Sequence, residues 1–481
     1  MGSVIGYTLG VLSLIYGTAM FVPLAFELHA GTENARAFIL AAVISLFLGG
    51  MLYFSCDQDR KNVTAREGFV LTTCSWVWMT FLSLLPLPFS SLHLSFTDAA
   101  FEAMSGLTTT GSTVITGLDS LSPGILVWRS IIQWIGGIGI VAFAIVLLPA
   151  LRVGGMQLFH SESSDRSSKT IPLTVSYIYS LIVVYALLTL ACMTTYALLG
   201  MSLFDAFNHA LTTLSTGGFS THDASFGAFN SQPLMLAGTI FMLAGGIPFV
   251  VFSRALFQAK FDLFRDEQVR AFIDVIILFS FGLFVSLMFV EGGLLPKHFI
   301  PVFFNVVSVV TTTGYASEDY VQWGPLAFGA FLFLTYVGGC SGSTGGGLKI
   351  FRIVILFRTI SFQLKKLIYP SGVFALNYNG RHVSADTVMS IAAFFFIYLV
   401  TNLILATVLS FSGLDFITSI TGAATSIANV GPGLGDMIGP TGNFVNVPNG
   451  AKWALIAGML LGRLEILTVM VLFMPRLWRS T

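Results

Sequence analysis

Hydrophobic residues run along this chain in blocks of about 20, the length an apolar helix needs to cross a hydrocarbon core about 30 Å thick. Such blocks lie near residues 4–26, 37–55, 68–89, 123–150, 172–199, 233–257, 271–290, 325–338 with an extension to 360, 387–411 and 450–475. They predict ten spanning helices. Between later spans lie shorter segments rich in Thr, Ser and Gly, at 97–119, 203–220, 299–317 and 413–436. Too short to cross and too polar to face lipid, they are tolerable at membrane depth only where protein buries them or where they line a watery cavity. They read as re-entrant loops.

The four short segments repeat one another. Phe101 leads to Thr108-Thr109-Thr110-Gly111, Phe207 to Leu214-Ser215-Thr216-Gly217, Phe304 to Thr311-Thr312-Thr313-Gly314 and Thr421 to Ala428-Asn429-Val430-Gly431, the first residue lying ten before the glycine each time. These glycines are 106, 97 and 117 residues apart, so a two-span preface (1–67) precedes four copies of span, pore loop and span (68–170, 171–270, 271–386, 387–481). Ten residues of helix ahead of each glycine rise about 15 Å, half the hydrocarbon thickness. The chain must then return outward in extended form, and glycine admits backbone angles closed to other residues. Four such strands around one axis would replace a cation's hydration shell with carbonyl oxygens, as potassium-channel filters do. The candidate ion ligands are Thr109, Thr110, Gly111, Ser215, Thr216, Gly217, Thr312, Thr313, Gly314, Asn429, Val430 and Gly431.

The closing span of each repeat carries a second recurrence: Gly136-Gly137, Gly245-Gly246, Gly338-Gly339 and, in the fourth copy, Gly462-Arg463. Glycine pairs suit either close helix packing or unwound backbone near a gate. A cation within an apolar span costs about 3 kcal/mol on insertion scales, so Arg463 is expected to face protein or water below the filter and to oppose cations there. Glu465 points to another side of the helix, free to neutralise a charge elsewhere or to reach the third repeat. The third repeat interrupts its closing span with a run from Gly338 to Gly347 that no regular lipid-facing helix accommodates, predicting a flexible intramembrane gate built on Gly339, Gly342, Gly345, Gly346 and Gly347. Gly347-Leu348-Lys349-Ile350 does not supply the Gly-Lys-Ser/Thr of a nucleotide-binding loop.

Charge fixes an orientation. Eighteen of the 23 Lys and Arg residues fall on one face when loops alternate, among them Arg60, Lys61, Arg66, Arg152, Arg166, Lys169, Lys349, Arg352, Lys365, Lys366 and Arg479. By the positive-inside rule that face is cytoplasmic, which puts both termini inside and opens the pore loops outward. The outer face carries Asp98, Glu102, Asp119, Asp205, Asp223, Glu318, Asp319, Asp415 and Asp436, which form either an acidic vestibule for cations or a merely solvated rim.

Composition narrows the field further. The chain is 55% hydrophobic and 10% charged, with 23 basic against 23 acidic residues, so no net field invites nucleic acid. Residues 5–26 lack a basic leader and read as a retained first span. The four cysteines, with no CxxC pair, read as packing thiols. No HExxH motif, Cys/His metal spacing or Ser/His/Asp arrangement points to an enzyme, and His209 reads as a packed pore-helix residue.

The fourfold filter, the broken third-repeat helix and Gly462-Arg463-Leu464-Glu465 together resemble the Trk/Ktr/HKT superfamily of potassium transporters, and the two-span preface resembles its TrkH branch, essentially end to end. The resemblance implies an all-α, potassium-channel-like membrane protein of the bacterial inner membrane that takes up K+. It also implies a homodimer gated by a cytoplasmic nucleotide-binding ring of the TrkA type. A glycine at the key filter position of every repeat goes with potassium in that family, and serine in the first with sodium. Channel-like flux, symport with protons or sodium, and a sodium-permeable alternative stay open on the residues alone.

Overall fold

The computed structural model of the protein describes residues 2–56, 65–151, 155, 170–260, 262–291 and 298–478. Arg60, Lys61, Arg152, Arg166, Lys169 and Arg479, counted above toward the basic face, lie outside the described residues. Six helical stretches are long and apolar enough to cross a membrane: Val4–Ala30, Ala35–Ser55, Pro123–Phe143, Ile178–Leu198, Glu267–Phe289 and Ala385–Phe411. The 20-residue helix Ala65–Leu84 opens the first repeat. The other three predicted spans are present but broken.

The break sites follow from local sequence. Gln232–Gly246 and Phe249–Gln258 meet at 92°, because Pro248 forces the preceding Ile247 into extended backbone just after the glycine pair. Asn449–Arg463 and Ile466–Phe473 meet at 107° across Glu465, whose φ of 60° is left-handed. In the third repeat Pro325–Tyr336 and Ile350–Ile368 are separated by the glycine-rich segment, whose neck is a short parallel pairing of Val337-Gly338 with Leu348-Lys349.

The preface packs through its own glycines. A methyl group at Gly10 would meet the backbone of Leu52 and Tyr53, and one at Gly49 would meet Ser13 and Leu14, so the two helices approach at small-residue distance. Trp78 Nε1 then donates to Ser13 Oγ at 2.8 Å, and buried Glu27 accepts from the hydroxyls of Thr32 and Ser122, which fastens the preface to the first repeat.

Four short helices enter from one side of the fold: Phe96–Leu107, Leu203–Leu214, Phe299–Val310 and Phe416–Ala428, of 12, 12, 12 and 13 residues. At 1.5 Å per residue each is about 18 Å long and stops within the core. Three begin on a side-chain cap: Ser95 Oγ accepts Asp98 N, Ser202 Oγ accepts Asp205 N, and the Asp415 carboxylate accepts Thr418 N. Each cap satisfies a helix-end N–H that would otherwise lack a partner.

Candidate ion pathway

Below each pore helix the chain turns the same way. Thr109, Thr216, Thr312 and Asn429 have φ of 52°, 51°, 62° and 55°, left-handed backbone that is a genuine outlier for threonine. Each amide bonds back to the helix end, on Gly106, Thr213, Val309 and Ser426 carbonyls. The next residue in each repeat, Thr110, Gly217, Thr313 and Val430, donates its N–H to Ser105, Thr212, Ser308 and Thr425 O at 2.8, 2.9, 2.9 and 3.1 Å. The glycines that follow, Gly111, Gly218, Gly314 and Gly431, all have positive φ, from 74° to 111°.

This register corrects one equivalence drawn from the sequence. In the second repeat the counterpart of Gly111 is Gly218, and Gly217 stands where the others carry Thr110, Thr313 and Val430. Two adjacent glycines hid the shift. The helix starts would have revealed it, since Ser95, Ser202, His298 and Asp415 each lie sixteen residues before Gly111, Gly218, Gly314 and Gly431.

The four strands form a closed ring. A methyl group at Gly111 would land on the Gly217 carbonyl oxygen, one at Gly218 on Thr313 O, one at Gly314 on Val430 O, and one at Gly431 within 2.7 Å of Thr110 O. Each of these glycines thus abuts, in the next repeat, the carbonyl of the residue before its own counterpart, and the fourth returns to the first. Cross-links reinforce the closure: Asn429 Nδ2 donates to Thr110 Oγ1 at 3.0 Å and Ser112 Oγ to Gly431 O at 2.8 Å.

Side chains one to two turns up each pore helix hold the returning strand. Glu102 accepts from Thr113 Oγ1 and Val114 N, His209 Nε2 bonds Ser220 Oγ at 3.0 Å, Asn305 bonds Ser317, and Thr421 bonds both backbone groups of Leu434. Glu102, expected on the outer face, is fully buried instead, paired at 2.8 Å with Arg129. His209 packs as expected. Arg129 and Lys452, which pairs with Asp98 at 2.7 Å, were not singled out by sequence reasoning. The signal that marked Arg463, a cation inside an apolar block, was present at both.

Below the ring the glycine-rich segment crosses under the pore-helix ends, buried from Val337 to Gly346. Thr344 Oγ1 donates toward Leu214 O and Gly245 O and accepts from Thr216 Oγ1, its N–H reaches Gly245 O, and Gly346 N donates to Thr312 Oγ1 at 2.7 Å. Gly339 and Gly345 lie close to Gly246 O and Thr311 O, while Gly342 and Gly347 take positive φ and turn the segment. Arg463 Nη1 donates to Thr344 O at 2.9 Å, so the arginine holds the loop from the fourth repeat. Glu465 does reach the third repeat, pairing with buried Arg352 at 2.6 Å, and Lys349 Nζ turns to Gly345 O. Lys349 and Arg352, assigned by sequence to the basic cytoplasmic face, are therefore interior charges, because the broken helix carries its first turn into the interior next to the ring.

The glycine pairs serve close approach. Gly136, Gly245 and Gly462 lie against the terminal carbonyls of Leu107, Leu214 and Ile427 in their own pore helices. Beyond the start of the returning strands His222 Nδ1 sits 2.5 Å from Asp119, and Asp223 accepts from Leu118 N, clasping the first two repeats together. The histidine hydrogen bond holds the Asp119 carboxyl below the usual carboxylate range.

The family model for the cation transport protein TrkH matches residues 34–480. The chain is 46% identical over 473 residues to the Trk system potassium uptake protein TrkI of Halomonas elongata, covering 98% of this chain and 96% of that protein. It is 35% identical over 479 residues to the Trk system potassium uptake protein TrkH of Escherichia coli, covering 98% of each. The crystal structure of the potassium transporter TrkH from Vibrio parahaemolyticus matches with a TM-score of 0.91 at 32% identity over 99% of both chains. This multi-pass membrane chain, a transport protein and not an enzyme, belongs to the TrkH family of cation transport proteins.

Proposed function

We propose that the chain takes up potassium through the ring formed by Thr110-Gly111, Gly217-Gly218, Thr313-Gly314 and Val430-Gly431, with the 339–347 segment and Arg463 as its gate. Potassium is cargo here and not a cofactor. The observation that carries the reading is the closed ring of four strands with matched backbone conformations. Backbone carbonyls on such a ring suit a dehydrated monovalent cation. Four pore-helix C-termini converge beneath it, each equivalent to about half a negative charge, and favour a cation at the inner mouth. The relatives named for potassium uptake support the same ion. Asn429, the most divergent filter residue, takes the same left-handed turn as the threonines and is better suited to it, so the fourth strand gives no support to a sodium reading.

The gate reading rests on position. Arg463 and Lys349, with Arg352 partnered by Glu465, place more positive than negative charge where a cation would leave the ring. Orientation with both termini in the cytoplasm, residence in the bacterial inner membrane, homodimerisation and control by a TrkA-type nucleotide-binding ring belong to this proposal. The deciding experiment is rubidium uptake into proteoliposomes holding the purified protein, driven by internal potassium and then by internal sodium. Uptake driven by potassium alone supports a selective filter. Equal driving by both ions overturns potassium selectivity.

A further inference from the structure

The second filter strand differs from the other three in a way that assigns a role to a residue outside the filter. At the position before the filter glycine, repeats one, three and four carry Thr110, Thr313 and Val430, side chains that are buried and packed. Thr110 and Thr313 are further held by Thr108 and Thr311 hydroxyls at 2.8 Å. The second repeat has Gly217 there, so two consecutive glycines form the part of the strand that must be most sharply placed. Consecutive glycines have the widest choice of backbone angles of any pair.

Gln133, from the closing helix of the first repeat, fills the gap. Its side chain is fully buried. Nε2 donates to Gly217 O at 2.6 Å and Oε1 accepts Phe219 N at 3.1 Å, so one amide brackets Gly218 on both sides. A Cβ at Gly217 would fall on the Gln133 amide, which therefore occupies the volume that the other repeats give to a side chain. One turn earlier Arg129 continues the same clamp, donating to Ser220 O at 3.0 Å with its guanidinium 4.1 Å from the Phe219 ring.

At the matching position the other repeats carry no amide: in the third, Thr335 stands three before Gly338 and its hydroxyl donates to Phe331 O within its own helix. Gln133 lies three residues before Gly136, and Met242 and Met459 stand three before Gly245 and Gly462, the glycines that meet the same pore-helix carbonyls. Neither methionine side chain can donate to a carbonyl.

We propose that Gln133 is a specificity-determining positioning residue: its amide substitutes, from the neighbouring repeat, for the side chain that Gly217 lacks and sets the second filter strand. The proposal rests on the potassium reading above. Gln133 touches no ion itself. It acts through Gly217 and Gly218, and its loss should alter discrimination between ions.

The test measures rubidium against sodium permeability in proteoliposomes for the wild-type chain, Gln133→Leu, Gly217→Thr, and the double variant Gln133→Ala with Gly217→Thr. Leucine keeps the volume and removes both hydrogen bonds, and the permeability ratio should fall about tenfold, the effect of one buried hydrogen bond on an ion's relative stabilisation. Gly217→Thr alone should also lose selectivity, by displacing the amide. In the double variant the threonine can occupy the vacated space, since Gly217 is not among the positive-φ glycines, and selectivity should recover above that of Gly217→Thr. Such recovery is not expected of a merely structural glutamine. An unchanged ratio in Gln133→Leu overturns the inference. If that variant does not fold, a double variant that is no more selective than Gly217→Thr, or that also fails to fold, overturns it instead. A wild-type chain without preference for rubidium would sink the potassium reading itself, which keeps the two failures distinct.

Discussion

At the filter the four repeats are near-copies, with left-handed φ within about ten degrees at four matched residues and the same helix-end hydrogen bond in each. One turn below, no two closing spans agree: one helix continues from Pro123 to Leu151, one bends by 92°, one bends by 107°, and one opens into a loop. Selecting an ion requires equivalent ligands on every side of it, so variation there is penalised four times over. The proposed gate asks instead for one element that reaches the axis, which a single loop held by a single arginine can supply only if symmetry is given up. The strained threonines belong to the first requirement. Non-glycine residues in left-handed backbone cost on the order of 1 kcal/mol or more each, and they persist where surrounding structure fixes them.

The sharpest way to break this contrast is at the ring itself. Gly218→Ala places a methyl group on the Thr313 carbonyl and a side chain at φ 74°, with only backbone to push against. Rubidium flux should fall by at least about a hundredfold, as expected if strain and overlap exceed roughly 3 kcal/mol. Gly217→Ala meets only the movable end of Gln133 and should retain flux with weaker selectivity. Equal loss in both variants would reject the register that makes Gly218 the filter glycine.

The next largest effect concerns the asymmetric inner half. Glu465→Ala removes the carboxylate from buried Arg352, and breaking a buried pair from one side costs about 3–5 kcal/mol. The detergent-purified protein should melt several degrees lower, and Arg352→Met with Glu465→Gln should regain most of the loss because no charge is left without its counterion. A double variant as unstable as the single would show that the pair is not what joins the third and fourth repeats.

A smaller change is expected from Arg463→Ala. The guanidinium gives the loop one hydrogen bond, at Thr344 O, and a positive charge under the filter. Its removal should raise basal rubidium leak on the order of tenfold, the effect of about 1.4 kcal/mol on a barrier. Unchanged or lower leak in folded protein would remove the arginine from the gate.

These contrasts were unevenly legible in the sequence. The six long spans were, because 20 apolar residues nearly suffice to specify a membrane helix, whatever they pack against. The broken third repeat was also plain, since ten small residues cannot sustain a helix. Bends at Ile247 and Glu465 were not read, although Pro248 two residues after a glycine pair marks the first. Glu102 and Arg352 were placed on opposite surfaces by counting loop charges, a rule that does not see helix phase or a partner such as Arg129, 27 residues away, or Glu465, 113 residues away. The slip from Gly218 to Gly217 has the same origin: matching residue types finds a repeat, and only the helix cap fixes where it begins.

The smallest expected effect lies at the outer clasp, where the repeats meet in water. Asp119 is more than half exposed and accepts from His222 and from Asp223 N, and the histidine bond is the main reason its carboxyl titrates below the ordinary range. A carboxylate with a depressed folded-state value contributes stability that is fully present above its unfolded pKa of about 3.9 and is lost as pH falls through the lower, folded value. Its contribution should therefore be intact at neutral pH and disappear only in strong acid. Exposed pairs of this kind are worth about 0–1 kcal/mol after solvent screening. Asp119→Asn should lower the melting temperature slightly at pH 7, and that gap should begin to shrink only below about pH 4 and close in stronger acid, where the folded wild-type carboxyl is itself protonated. A gap that persists in acid would mean the clasp depends on geometry, which asparagine disturbs, and not on the charge of Asp119.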